Sequence, residues 1–228
     1  MMDKATQLLN PMKVQDDMEV SKPDTATRIL DVAERLFVEH GFEATSLRMI
    51  TQQAEVNLAA VNYHFGSKDA LFESVFMRRI GPFVAACLAE LDALEQSGQA
   101  LTAEALVLTF IKPCLMLSKD PTKGGALFVR LMSRTLVENH RLLREALNQQ
   151  YSVFVLRYTS AFQAALPQFE TEDIAWRMHF AFGVMFNAFA GNDVLKIFVR
   201  SQVVSARDPD MVVKHLVPFV VAGLTAPV

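Results

Sequence analysis

The feature that most constrains this chain is the crowding of helix start and stop signals between residues 24 and 68. From Thr25 onward, Ala26, Ile29, Leu30, Ala33, Leu36 and Phe37 recur at steps of three and four, while Arg28, Asp31, Glu34, Arg35 and Glu39 occupy the other face. That is the period of an amphipathic helix. Asp24 or Thr25 can cap its start, and Gly41 is the residue type that ends a helix in a left-handed turn. A second start follows at Thr45-Ser46, with Leu47, Ile50, Thr51 and Ala54 on one face. A third follows at Asn57, with Leu58, Val61 and Phe65 directed inward and a stop at Gly66-Ser67. Three short helices, the last two joined by a tight turn, have the layout of a helix-turn-helix.

Beyond this unit the helical pattern resumes at Lys68 and meets Gly81-Pro82, where a kink or break is expected and the domain boundary is placed. Apolar-periodic segments then cover about 83–96, 101–118, 124–138, 140–166, 171–191 and 208–224. No stretch alternates with period two, so the expected fold is all-α. Residues 1–23 read as a mobile N-terminal arm, 24–80 as a helix-turn-helix domain, and 81–228 as a larger α-helical domain. The chain of 228 residues is 51% hydrophobic, which excludes a disordered or collagen-like protein. Met1-Met2-Asp3-Lys4 opens no signal peptide, and the late uncharged runs are shorter than the roughly 20 residues of a bilayer span. A cytoplasmic protein without a membrane helix is the expectation. Cys87 and Cys114 fit no zinc or redox spacing and read as buried thiols, so neither metal nor cofactor is expected.

The third segment has the chemistry of a recognition helix. Its small Ala59 and Ala60 permit close approach to bases and thymine methyls, and Asn62 can read adenine with two hydrogen bonds. Asn57, Tyr63 and His64 face outward with them, the last two suited to phosphate oxygens. Thr45, Ser46, Arg48 and Lys68 surround the segment as phosphate donors. With a net charge of −1 over residues 22–80, a DNA-binding role rests on arrangement, and weak non-specific affinity follows. The same aromatics also suit the core of a small three-helix unit.

From Thr27 to Leu71 the chain resembles the DNA-binding domain of TetR-family transcriptional regulators. Phe37-Val38-Glu39-His40-Gly41-Phe42, the Thr45-Ser46-Leu47 entry, Tyr63-His64-Phe65 and Ser67-Lys68-Asp69-Ala70-Leu71 carry the resemblance. It implies DNA contacts at Thr45, Asn62, Tyr63, His64 and Lys68, a helical effector domain, and a repressor working as a homodimer on double-stranded palindromic operator DNA. One departure stands out: the turn that commonly reads Ala-Gly-Val is Ala54-Glu55-Val56 here, and if Glu55 has to adopt positive φ it bears a strain that glycine would not.

In the larger domain the last two long helices are the expected dimer interface, where Phe182, Phe186, Phe189 and Val220 either pair across it or, equally, fill the core of the subunit. The recognition segment together with Trp176-Arg177-Met178-His179-Phe180 is similar to the PsrA-type branch, whose members respond to fatty acids. A small hydrophobic effector, a fatty acid or acyl derivative, would lie among Phe128, Met132, Phe154, Trp176, Phe180 and Met185. Arg130, Arg134 and His179 would meet its polar end. Two other readings compete. One is a helical partner-binding protein that has lost DNA binding. The other is an enzyme on a helical scaffold, which lacks a nucleophile elbow, a His-Glu-x-x-His motif and a phosphate loop.

Overall fold

The computed structural model describes residues 24–120, 125–138, 151–190, 195–198 and 208–227. The described residues form helices α1 (Thr25–Ala44), α2 (Leu47–Ala54), α3 (Leu58–Phe65), α4 (Lys68–Gln96) and α5 (Ala103–Lys119), followed by α6 (Ala126–Glu138), α7 (Ser152–Ala165), α8 (Thr171–Phe189), α9 (Leu195–Phe198) and α10 (Pro209–Thr225). No strand occurs among them, so the all-α expectation holds. The N-terminal arm at 1–23 and part of the expected 140–166 segment lie outside the described residues.

Local chemistry places the first four helices. Asp24 accepts from the Thr27 amide at 2.7 Å and starts α1; Ser46, Asn57 and Ser67 do the same for α2, α3 and α4. Hydrogen bonding to the α1 amides holds the Asp24 carboxyl below its usual pKa. Gly41 takes φ 84° and ψ 171°, bending α1 after His40, with positive φ as expected but with extended rather than left-handed ψ. Phe37, Phe42 and Phe72 pack ring against ring at 5.0 to 5.9 Å beneath this bend and fix α1 on α4.

Three expectations need correction. Glu34 is not on the solvent face: it is 2% exposed, and its carboxylate receives two hydrogen bonds from Arg79 and one from Arg78, which also pairs with Asp31. The turn-to-turn drift of α1 carries residue 34 under α4, where two guanidinium groups make burial of a charge tolerable. Gly81-Pro82 does not break the chain, because α4 runs through it for 29 residues. Proline removes one helical hydrogen bond, at a cost of about 3 kcal/mol. The burial of Ile80, Phe83 and Val84 on either side offsets that loss, at roughly 1.5–3 kcal/mol per side chain. The boundary at residue 80 therefore lies inside one continuous helix that belongs to both halves.

The third correction concerns Phe186, Phe189 and Val220, which are 4–7% exposed and belong to the core of the subunit. Phe182 is half-buried, its ring 4.8 Å from that of Phe110. These side chains occupy the faces of α8 and α10 that meet α5, α6 and each other. The opposite faces leave Trp176 and Phe180 on α8, and Met211 and Phe219 on α10, exposed. In the larger half Tyr158 of α7 shares a hydrogen bond with Thr109 of α5 and donates to the Cys87 carbonyl of α4. Cys87 and Cys114 are buried free thiols, as expected, and burial pushes both well above the ordinary thiol pKa.

Candidate functional site

Helices α2 and α3 meet through a turn in which Glu55 takes φ 54° and ψ 47°, the one non-glycine residue with positive φ among those described. Glu55 thus meets the condition raised by its departure from an Ala-Gly-Val turn and takes the conformation that favours glycine. Both Glu55 and Val56 close the end of α2, the Val56 amide donating to the Thr51 carbonyl at 3.0 Å. Asn57 then caps α3. The inner side of α3 is Val61, fully buried, with Ala60 and Phe65 half-buried against the core.

The outer side of α3 carries Asn57, Ala59, Asn62, Tyr63 and His64, all exposed, with Tyr63 at 85%. Tyr63 and His64 meet edge to face at 5.1 Å and stand away from the core. Leu58, read as inward, is instead 51% exposed, while Val61 one turn on is fully buried. It joins the outer surface, where an apolar side chain suits a thymine methyl. Ala60 moves the other way and is partly covered.

The flanking donors separate into two groups. Ser46 and Arg48 are exposed at the start of α2 beside α3. Lys68 donates to the Glu43 carbonyl at 3.4 Å and lies 4.3 Å over the Phe42 ring, which holds its ammonium at the entrance of α4. Thr45, by contrast, is fully buried, and its hydroxyl bridges the Leu36 and Gly41 carbonyls at 3.1 and 2.7 Å. Its side chain is a strut that seats α2 against the bend of α1 and is not a phosphate ligand. A burial this complete has no signature in a sequence where threonine precedes serine at a helix start.

A cavity of about 670 Å³ opens in the larger half between α4, α5, α6, α7 and α8, a volume within the range of small-molecule sites. Met132, Phe154, His179 and Phe180 line it, as read from the sequence. Phe83, Phe110, Phe182 and Phe186 complete its aromatic wall, and Tyr151 brings a hydroxyl. Sequence periodicity marked those phenylalanines as apolar but could not say which faced a void. Met185 is buried beside a separate void of about 10 Å³. Trp176 stacks on Phe180 with centroids 5.8 Å apart but lies outside the wall. The Phe128 side chain lies outside the described residues.

The arginines read as an anion clamp do other work. Arg130 donates to the Ala190 carbonyl at the end of α8, and Arg134 to the Val38 and Glu39 carbonyls of α1. Arg177 likewise donates to the carbonyls of Gly223, Leu224 and Ala226 at the end of α10. Helix ends carry unsatisfied carbonyls and partial negative charge, and a guanidinium meets both needs. Among the described residues, no group of three His, Cys, Asp or Glu side chains is placed to hold a metal ion, and no helix is long and apolar enough to cross a membrane.

Comparisons with known proteins agree with this arrangement. Residues 29–75 match the model of bacterial regulatory proteins of the tetR family, and residues 109–223 match the tetracyclin repressor-like C-terminal domain. The HTH-type transcriptional regulator UidR of Escherichia coli K12 is 31% identical over 65 residues, 28% of this chain and 33% of that protein. The chain thus spans about a third of the length of the curated relatives it matches. A tetR-family regulatory protein from Rhodococcus RHA1 superposes with a TM-score of 0.63 at 14% identity, covering 91% of this chain and 100% of that one. The fatty acid degradation regulator FadR from Bacillus halodurans gives a TM-score of 0.55 at 14% identity, covering 86% and 96%. The relatives and neighbours named here are regulators, which sides against an enzyme on a helical scaffold. With both halves matched in order and the C-terminal model alone covering half of its length, the chain belongs to the TetR family of helix-turn-helix transcriptional regulators.

Proposed function

We propose that this protein binds double-stranded operator DNA as a homodimer and regulates transcription in response to a small apolar effector held in the cavity. The observation that carries the DNA reading is the outer surface of α3, where Tyr63, Asn62 and His64 project with no core to cover them. In this reading residues 24–80 form the DNA-binding domain and residues 81–228 the effector and dimerisation domain. The first turns of α3 enter the major groove, while Ser46, Arg48 and Lys68 reach phosphates. One such unit reads few base pairs, so two symmetric copies on an inverted repeat supply the specificity. The exposed Trp176 and Phe180 of α8, with Met211 and Phe219 of α10, supply an apolar face for that pairing. Such work on chromosomal DNA belongs in the cytoplasm.

The effector reading rests on the aromatic wall of the cavity, in which Tyr151 and His179 are the groups able to orient a polar end. A fatty acid or acyl derivative suits that wall, and the likeness to a fatty acid degradation regulator is consistent with it. One experiment addresses both parts. Sheared genomic DNA is incubated with the wild type and with Tyr63→Ala, and the retained fragments are sequenced. Enrichment of a few fragments sharing an inverted repeat is expected for the wild type and not for Tyr63→Ala; random recovery by both favours a partner-binding protein. Decanoate is then titrated against the recovered fragment complex while the emission of the single tryptophan, Trp176, is followed through its stack on Phe180. A saturable change in emission and in DNA retention is expected, and a flat titration counts against an acyl effector.

A further inference from the structure

We infer that Phe182 limits the length of apolar chain the cavity accepts, because its ring closes the cavity against a second void; this assignment holds only if the cavity is the effector site. The wall of the cavity has a direction. Val155, His179 and Phe180 are exposed and mark its mouth, whereas Phe83, Phe110 and Met132, 1–4% exposed, form its inner end. A ligand with one polar end therefore enters chain first and leaves that end near His179.

Behind the inner end lies the void of about 10 Å³, bounded by Leu106, Val107, Tyr158, Phe162, Met178 and Met185. Among the described residues only Phe110 and Phe182 face both spaces, and their rings stand 4.8 Å apart. An apolar void of this size stays dry, and the atoms around it lack packing partners on one side. The two rings of the partition are not held alike. Phe110 is 2% exposed and packs against Phe83 and Phe186 as well, at 5.1 and 5.4 Å. Phe182 is half-buried, on the face of α8 that carries Met178 four residues before it and Met185 three residues after. Methionine is unbranched and repacks readily.

Phe182 is thus the part of the partition that yields. Without its ring, the space it fills, the void and the two adaptable methionines extend the cavity beyond its inner end. Phe154 is the contrasting case: its ring lies 4.7 Å from that of Tyr158, which is fixed by its hydrogen bonds to Thr109 and to the Cys87 carbonyl. Loss of the Phe154 ring widens the cavity without lengthening it.

Octanoate, decanoate, dodecanoate, tetradecanoate and hexadecanoate, each below its micelle concentration, are titrated calorimetrically into the full chain as wild type, Phe182→Ala, Phe182→Leu, Phe182→Trp and Phe154→Ala. A buried methylene adds about fourfold to affinity, so the wild type is expected to gain by that factor until the chain meets Phe182 and then to level off or fall. Phe182→Ala is expected to raise that limit by about two methylenes, a gain of roughly tenfold for the first chain that the wild type disfavours. Phe182→Trp should lower the limit. Phe182→Leu, which keeps an apolar side chain in place, guards against loss of fold and should give an intermediate limit. Phe154→Ala should leave it where it is. A limit that Phe182 variants do not move, an equal move on Phe154→Ala, or a wild-type affinity that climbs unchecked to hexadecanoate overturns the inference and leaves the effector reading standing. Binding of none of these chains by the wild type overturns the acyl effector and this inference with it.

Discussion

The head of the molecule, α1 to α3 with the start of α4, and the body, α5 to α10, use their side chains in opposite ways. In the head the aromatic trio Phe37, Phe42 and Phe72 closes a small dry core, and the candidate site is what that core leaves outside: Asn62, Tyr63 and His64 on α3. In the body the aromatics Phe83, Phe110, Phe182 and Phe186 surround a void of about 670 Å³, and the candidate site lies inside. An outward site is set by where a short helix starts and stops, whereas an inward site is set by how long helices cross. Arginines near the two candidate sites differ too. Arg48 of the head is exposed, while Arg130, Arg134 and Arg177 of the body are spent on the carbonyls of helix ends.

Three substitutions in the head test how far its surface and its frame are separable. The largest effect is expected at Glu34, where Glu34→Gln leaves Arg78 and Arg79 without their buried counter-charge. Loss of about 3 kcal/mol of stability follows, somewhat reduced by the partial exposure of the two arginines, and is read as a lower urea midpoint at unchanged slope. An unchanged midpoint would show that the pair breaks even with solvation. Asn62→Ala comes next and should leave the midpoint alone while weakening operator binding by about 1–3 kcal/mol, with relaxed preference at one base pair. A loss of stability instead would make Asn62 part of the frame.

Glu55→Gly is the smallest. Relief of left-handed strain, less the entropy a glycine adds to the unfolded chain, should stabilise the protein by about 0.5–1 kcal/mol. Removal of a carboxylate beside the recognition helix should raise operator affinity a few-fold at low salt, an advantage that fades as salt is added. Loss of affinity on Glu55→Gly would assign the carboxylate a role of its own in the complex.

Much of the head was legible in the sequence because its information is local. Asp24, Ser46, Asn57 and Ser67 each bond an amide three residues ahead, and Glu55 takes positive φ where the resembled turn carries glycine. The misreadings in the head share one cause. Leu58 and Glu34 were assigned to faces by helical period and Thr45 to phosphate by its place at a helix start, yet which side chain is covered depends on where α1, α4 and the Gly41 bend stand in space. In the body periodicity found the helices but could not tell Phe186, which serves both core and cavity wall, from the exposed Trp176 on the same helix, which lies outside the wall.

The sequence by itself determined the all-α class, the order of the helices, the helix-turn-helix and the outward direction of Asn57, Ala59, Asn62, Tyr63 and His64 on α3. These follow from hydrogen-bond caps, residue conformations and apolar spacing that act within a few residues of one another. Only the tertiary structure decided that α4 passes unbroken through Gly81-Pro82, that Glu34 lies buried between two arginines, and that Arg134 reaches across 95 and 96 positions to the end of α1. Burial and long-range hydrogen bonding outweigh the local cost of a proline or a charge, and that balance is set by neighbours that only the folded chain brings together.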